Sequence, residues 1–191
     1  MCQTGLATLA FFYFDFRDIG KQDARSLLSS ILIQLCHESD NFSEILSSRL
    51  STHGNGTRQP SEDALFECLK DMLELRGQGE LYIVVDALDE CPSVSGYPTP
   101  RAEVLKILQE LVGLRLPHVH LCITSRPELD IRDALEGLAV HNVSLHEKAG
   151  QNQDILDYIK SIVSSDAKIR QWREEDRQLV MTTLTERARG M

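Results

Sequence analysis

A chain of 191 residues, 42% hydrophobic and 26% charged, suits one soluble domain, or one with part of a second. Its formal net charge of −9 disfavours nonspecific attraction to nucleic acid or to an anionic membrane, and the acidic residues are spread out as on a solvated surface. Five scattered cysteines (Cys2, Cys36, Cys68, Cys91, Cys122) without a CxxC pair argue against a disulfide framework and a structural zinc site, and favour a reducing, cytoplasmic setting.

In chain order, the apolar run 6–14 is far shorter than the ~20 residues of a membrane helix. It has no basic segment before it, so no signal peptide is expected. Residues 8–16 (TLAFFYFDF) are aromatic-rich, lack Gly and Pro, and read as a buried strand. Over 21–38, Ala24, Leu27, Leu28, Ile31, Leu32, Leu35 and Cys36 recur at helical spacing, with Gln22, Arg25, Ser29 and Gln34 between them. A weaker helix follows at 42–50, then a loop at 51–60 (STHGNGTRQP). Ser61 is placed to cap a helix running to about Leu75, with Glu62 and Asp63 in its first turn and Gly77 and Gly79 ending it.

Residues 81–85 (LYIVV) are almost wholly apolar, which suits a central parallel strand covered on both faces. A loop at 91–100 leads to a helix at 101–114, a strand at 119–124, a helix at 129–138 and a short strand near 139–145. From 151 onward Ile155, Leu156, Ile159, Ile162 and Val163 share a helical face. Strands alternating with such helices predict an α/β fold with a parallel sheet. The expected division is a core over 6–147 and a helical segment over 151–191 that starts a following helical unit.

Two strand ends carry chemistry. The run 81–90 (LYIVVDALDE) delivers carboxylates to the C-terminal end of a strand, where open α/β sheets bind ligands. One carboxylate there can hold magnesium, and a neighbour can orient or deprotonate the water that attacks a phosphate. The run 121–128 (LCITSRPE) ends in hydroxyls and a guanidinium: Arg126 can sense phosphate charge, and Thr124 or Ser125 can hold the attacking water. Read singly, the first is also an ordinary acidic turn, and the second a Thr or Ser capping the helix after Pro127. The two in this order, about 36 residues apart, make coincidence a poor account.

At these residues the chain resembles a known family. VDALDEC (85–91) resembles the Walker B element of NACHT domains, and TSRPE (124–128) resembles their sensor strand. FFYFDF (11–16), Leu27-Leu28 and Gln34-Leu35 resemble the strand and helix that follow the Walker A helix. Asp154-Ile155 with Tyr158-Ile159 resembles the helix after the sheet. The nearest subgroup is the nephrocystin-3-like N-terminal NTPase domain, common in fungal NOD-like receptor-type proteins of the STAND class, and the resemblance spans roughly 6–190.

The resemblance implies a P-loop NTPase-like parallel sheet with helices on both faces. It implies that Asp86 holds magnesium, that Asp89 and Glu90 are the catalytic acidic pair, and that Arg126 and Thr124 attend the nucleotide. It also implies a switch that binds ATP or GTP and changes oligomeric state, so that protein partners or self-association are expected, with no nucleic acid, membrane or small-molecule substrate beyond nucleotide.

One departure qualifies this. No GxxxxGK[ST] occurs in the sequence, and the decoy Gly20-Lys21 has Asp15 where the first Gly belongs and Gln22 where Ser or Thr belongs. The chain therefore reads as the back two-thirds of such a domain. The missing first strand should leave a gap beside the sensor strand, and the chain alone is expected neither to bind nor to hydrolyse nucleotide. The alternative is a non-enzymatic protein-interaction module derived from a NACHT protein. An unrelated α/β hydrolase is disfavoured, since there is no GxSxG elbow. His118 and His120 alternate without a third ligand and read as ordinary histidines. Cys91 reads as a small structural residue, 173–177 as a solvated helix face, and Trp172 as packing that helix.

Overall fold

Three strands, Ala7–Tyr13 (β1), Glu80–Asp86 (β2) and Val119–Ile123 (β3), form a parallel sheet in the order β1-β2-β3. They belong to a computed structural model that describes residues 7–52, 59–75, 77–94, 96–144 and 149–188. Among the described residues seven α-helices accompany them: α1 Ala24–Glu38, α2 Asp40–Thr52, α3 Glu62–Leu73, α4 Pro100–Gly113, α5 Leu129–Leu135, α6 Ala149–Ser165 and α7 Glu174–Ala188. The fold class is α/β, as the alternation of strands and helices implies.

The chain divides into two compact units, Met1–Ala139 and Val140–Met191. In the first, Ala10 pairs with Ile83 and Ile83 with Leu121, so one sheet face collects Ala10, Phe12, Leu81, Ile83, Val85, Leu121 and Ile123. That face packs on Leu27, Leu28, Ile31 and Leu35 of α1, Leu69 and Met72 of α3, and Val104 and Leu108 of α4, in one core. The residues between them point the other way. Leu9, Phe11, Tyr13 and Tyr82 are exposed, as are His120 and Cys122. The first strand is thus half-buried rather than buried, because its aromatic residues are divided between the faces.

Helix starts follow their caps. Asp23 accepts from Ser26 N at 2.8 Å at the head of α1, and Ser61 from Ala64 N at 3.2 Å at the head of α3. Thr99 does the same for α4 through Ala102 N at 3.2 Å, with Pro100 in the first turn. The first helix therefore begins after Asp23, not at Lys21. A separate 3₁₀ turn, Ile19–Lys21, capped by Asp18, precedes it.

The sheet's two edges differ. On β1 the Gln34 side chain copies a strand partner: its Nε2 donates to Phe11 O at 2.7 Å and its Oε1 accepts Phe11 N–H at 3.0 Å. On β3, His118 O accepts from Leu81 N at 2.8 Å and Thr124 N donates to Val85 O at 3.0 Å. The even-numbered residues of this strand therefore face β2, and the backbone groups of Leu121 and Ile123 face outward. Among the described residues no strand flanks that edge.

Residues 139–144 form no strand; Leu145, the end of the strand expected there, lies outside the described residues. A strand exists by pairing, and no described segment pairs with this one. The helix before it stops at Leu135 in a turn. In the second unit α6 and α7 pack together through a 3₁₀ turn, Ile169–Gln171, with Val163 buried and Tyr158, Leu179 and Leu184 exposed. Trp172 lies in the turn before α7, about half-exposed. Among the described residues no helix is long and apolar enough to cross a membrane.

Candidate functional site

Strand β2 ends at Asp86, and the chain then reverses. Ala87 has φ 53° and ψ 46°, the left-handed region that costs a non-glycine residue about 1–3 kcal/mol. Buried Leu88 anchors the 3₁₀ turn Leu88–Glu90 that follows. Strained backbone held by its surroundings is common at functional sites, and here the surroundings are the end of β3.

Thr124 joins the two strand ends. Its hydroxyl donates to Asp86 Oδ1 and accepts Ala87 N–H at 3.1 Å, and its carbonyl accepts Leu88 N–H at 3.0 Å. Asp89 then reaches across. Its Oδ1 accepts Arg126 N–H at 3.0 Å, and its Oδ2 lies 3.4 Å from Arg126 Nε. The Asp89 side chain is 11% exposed and that of Arg126 is 83% exposed, so the guanidinium faces solvent while its carboxylate partner is sheltered. Glu90 turns the other way, its Oε2 accepting Phe16 N–H at 3.2 Å. Asp86, Asp89, Thr124 and Arg126 are therefore brought together, and Glu90 is directed toward the segment after β1.

Two features of this sheet end had no counterpart in the sequence reading. Asp15, half-buried after β1, has its pKa lowered to about 2 by side-chain and backbone hydrogen bonds from the exposed Arg17. Arg101, in the first turn of α4, is buried beneath the acidic loop. An arginine in a helix's first turn opposes the macrodipole, and that was the available signal.

The discounted groups have ordinary surroundings. Cys91 is buried, its thiol pushed up to about 12 by that burial and hydrogen-bonded to Gln22 O at 3.2 Å, which suits packing rather than nucleophilic attack. His118 Nε2 meets Leu73 O at 2.9 Å, and His120 stacks on Tyr82 and meets Glu80 at 2.6 Å. Among the described residues no three His, Cys, Asp or Glu side chains converge as for a metal.

Magnesium takes few carboxylates and fills its shell with water and phosphate oxygens. Asp86 suits that arrangement as a lone protein ligand, with one oxygen already held by Thr124. The amide cradle and lysine that would bring a phosphate are not in the sequence. The residues present do not by themselves fit a metal–nucleotide complex, and no catalytic step follows from them alone.

The family model described as nephrocystin 3, N-terminal, matches residues 1–126. No curated protein and no solved structure matches the chain.

Proposed function

The chain belongs to the nephrocystin 3 N-terminal family, and from that premise we propose that it is the metal-and-sensor part of a NACHT-type signalling NTPase. In the intact module Asp86 holds magnesium, Asp89 and Glu90 form the acidic pair, and Thr124 and Arg126 attend the nucleotide phosphates. Binding of ATP or GTP there drives a change of oligomeric state. The phosphate-binding loop comes from a segment outside these residues.

One observation carries the reading: carboxylates and a Thr–Arg pair meet within hydrogen-bond reach at the C-terminal ends of adjacent parallel strands. Such a strand end is the place where α/β sheets take ligands. The outward-facing edge of β3 supports it too, since a strand bearing the missing loop would pair there. The turn of Glu90 toward Phe16 makes Asp89 the better placed of the acidic pair.

A second reading draws on the exposed sheet face of Leu9, Phe11 and Tyr13 on β1 and Tyr82 on β2. Apolar surface of this kind is a feature of interaction sites, and it suits a non-enzymatic module that pairs with other proteins or with itself.

Titrating the chain with a fluorescent ATP analogue and magnesium separates the claims. The proposal expects no saturable binding in the micromolar range. Micromolar affinity that disappears in Asp86→Ala would overturn the claim that the phosphate loop must come from elsewhere. Concentration-dependent self-association without nucleotide would favour the second reading.

A further inference from the structure

We infer that Arg101 is a positioning residue, which holds the acidic loop after β2 and the Arg126-bearing segment after β3 at a fixed spacing and so keeps the Asp89 carboxylate on Arg126. Its donors divide between those two segments. Toward the acidic loop, Nη2 donates to Asp89 O at 2.6 Å and Nε to Cys91 O at 2.8 Å. Toward the other segment, Nη1 donates to Glu128 Oε2 at 2.6 Å and lies 3.3 Å from Asp130 Oδ2. The carbonyl it grips belongs to the same Asp89 whose carboxylate accepts Arg126 N–H.

The setting argues for geometry rather than for stability. The side chain is 5% exposed, and a buried cation loses hydration that its partners only partly restore. It also sits in the first turn of α4, where the macrodipole opposes positive charge. A planar fork can satisfy acceptors from two segments at set angles, which an ammonium cannot. The helix that carries it is a firm platform: Thr99 caps it, and Val104, Leu105 and Leu108 are in the core. Loops braced from a packed helix are more sharply placed than loops left to themselves.

The purpose of this bracing rests on the nucleotide-site reading, but the coupling itself is read without nucleotide. The test is amide hydrogen exchange on the chain, with thermal midpoints measured in parallel, for Arg101→Met and Arg101→Lys. Arg126 N–H and Cys91 N–H should exchange about ten-fold to a hundred-fold faster in both variants, the range expected for losing hydrogen bonds to charged or buried groups. The amides of Ile83 and Leu108 should keep their protection. The Met variant should melt no higher than the parent, since the Asp89 and Cys91 carbonyls lose their donor while the half-exposed Glu128 and Asp130 regain water.

Uniform acceleration of core and loop amides alike would make Arg101 merely structural and overturn the inference. So would unchanged exchange at Arg126, or parent-like exchange in Arg101→Lys, which would show that charge suffices. If Arg101→Met does not fold, the Lys variant decides by the same criteria. Failure of the nucleotide-site reading would leave this exchange pattern untouched, so the two outcomes are separable.

Discussion

Replacing Thr124 by valine keeps the side-chain shape and removes its hydroxyl, which isolates the joint between the two strand ends. The hydroxyl donates to Asp86 and accepts from Ala87 N–H at 3.1 Å. A hydrogen bond to a charged group contributes about 1.5–3 kcal/mol and a neutral one about 1 kcal/mol when sheltered. Thr124 is exposed, so water recovers much of this, and the net loss should be about 1–2 kcal/mol. The backbone bonds Leu88 N–Thr124 O and Thr124 N–Val85 O remain, so the sheet should persist. Urea unfolding should show a lower midpoint with an unchanged slope. A double-mutant cycle with Asp86→Asn should give a coupling of about 0.5–1.5 kcal/mol, as for residues in direct contact. A coupling of zero within error would refute the idea that these strand ends form one bonded unit.

Other outcomes follow from the same geometry. Ala87→Gly relieves the left-handed backbone at φ 53°; offset by the entropy of an unfolded glycine, it should raise the unfolding free energy measured in urea by up to about 1 kcal/mol, and a clear loss of stability would contradict the strain. In the native chain Cys91, buried with its thiol at about 12, should resist a thiol reagent at pH 8 while exposed Cys122 reacts; equal rates would show that the burial is wrong. Asp15 has its pKa depressed from 3.8 to about 2 chiefly by the Arg17 side chain. Its contribution is therefore present above about pH 4 and lost as the pH falls toward about 2. Carboxyl NMR should find its titration moved back toward the ordinary range in Arg17→Gln. Gln34→Leu removes both bonds that close the β1 edge, and should lower stability and promote edge-to-edge aggregation seen by light scattering.

Local rules explain what the sequence made visible. The strands over 81–85 and 119–124 were legible because short apolar runs ended in chemically distinctive residues, and the register then set Val85 beside Ile123, just before both tips. Helix α3 was legible from Ser61 and the acidic residues after it. The start of the first was missed by three residues, because Lys21 and Gln22 look helical until Asp23 is recognised as the cap. Burial of the first strand was overstated, since Phe11 and Tyr13 are apolar whether or not anything covers them. The strand near 139–145 was read from composition, while a strand needs a partner that no local pattern supplies.

Within the site, the sequence singled out Asp86, Asp89, Thr124 and Arg126 as tips of two strands, and parallel pairing explains how they come to touch. It gave no warning that Glu90 would turn to Phe16 N–H, which depends on the backbone reversal at Ala87. Arg101 looked like one more charge at a helix start. Its partners Glu128 and Asp130 lie far along the chain and meet it only through packing of the helix against the sheet end.

If these strand ends are the metal-and-sensor side of a nucleotide site, nucleotide affinity must depend on Asp86 and Arg126. The direct measurement is Mg–ATP affinity, by titration calorimetry, of the chain joined to a preceding segment that carries GxxxxGK[ST], compared with its Asp86→Ala and Arg126→Ala variants. The account predicts saturable binding that depends on magnesium, weakened at least about ten-fold by either substitution, the size of one lost charge-assisted contact. Binding that ignores both substitutions, or its absence in the joined protein, would contradict it.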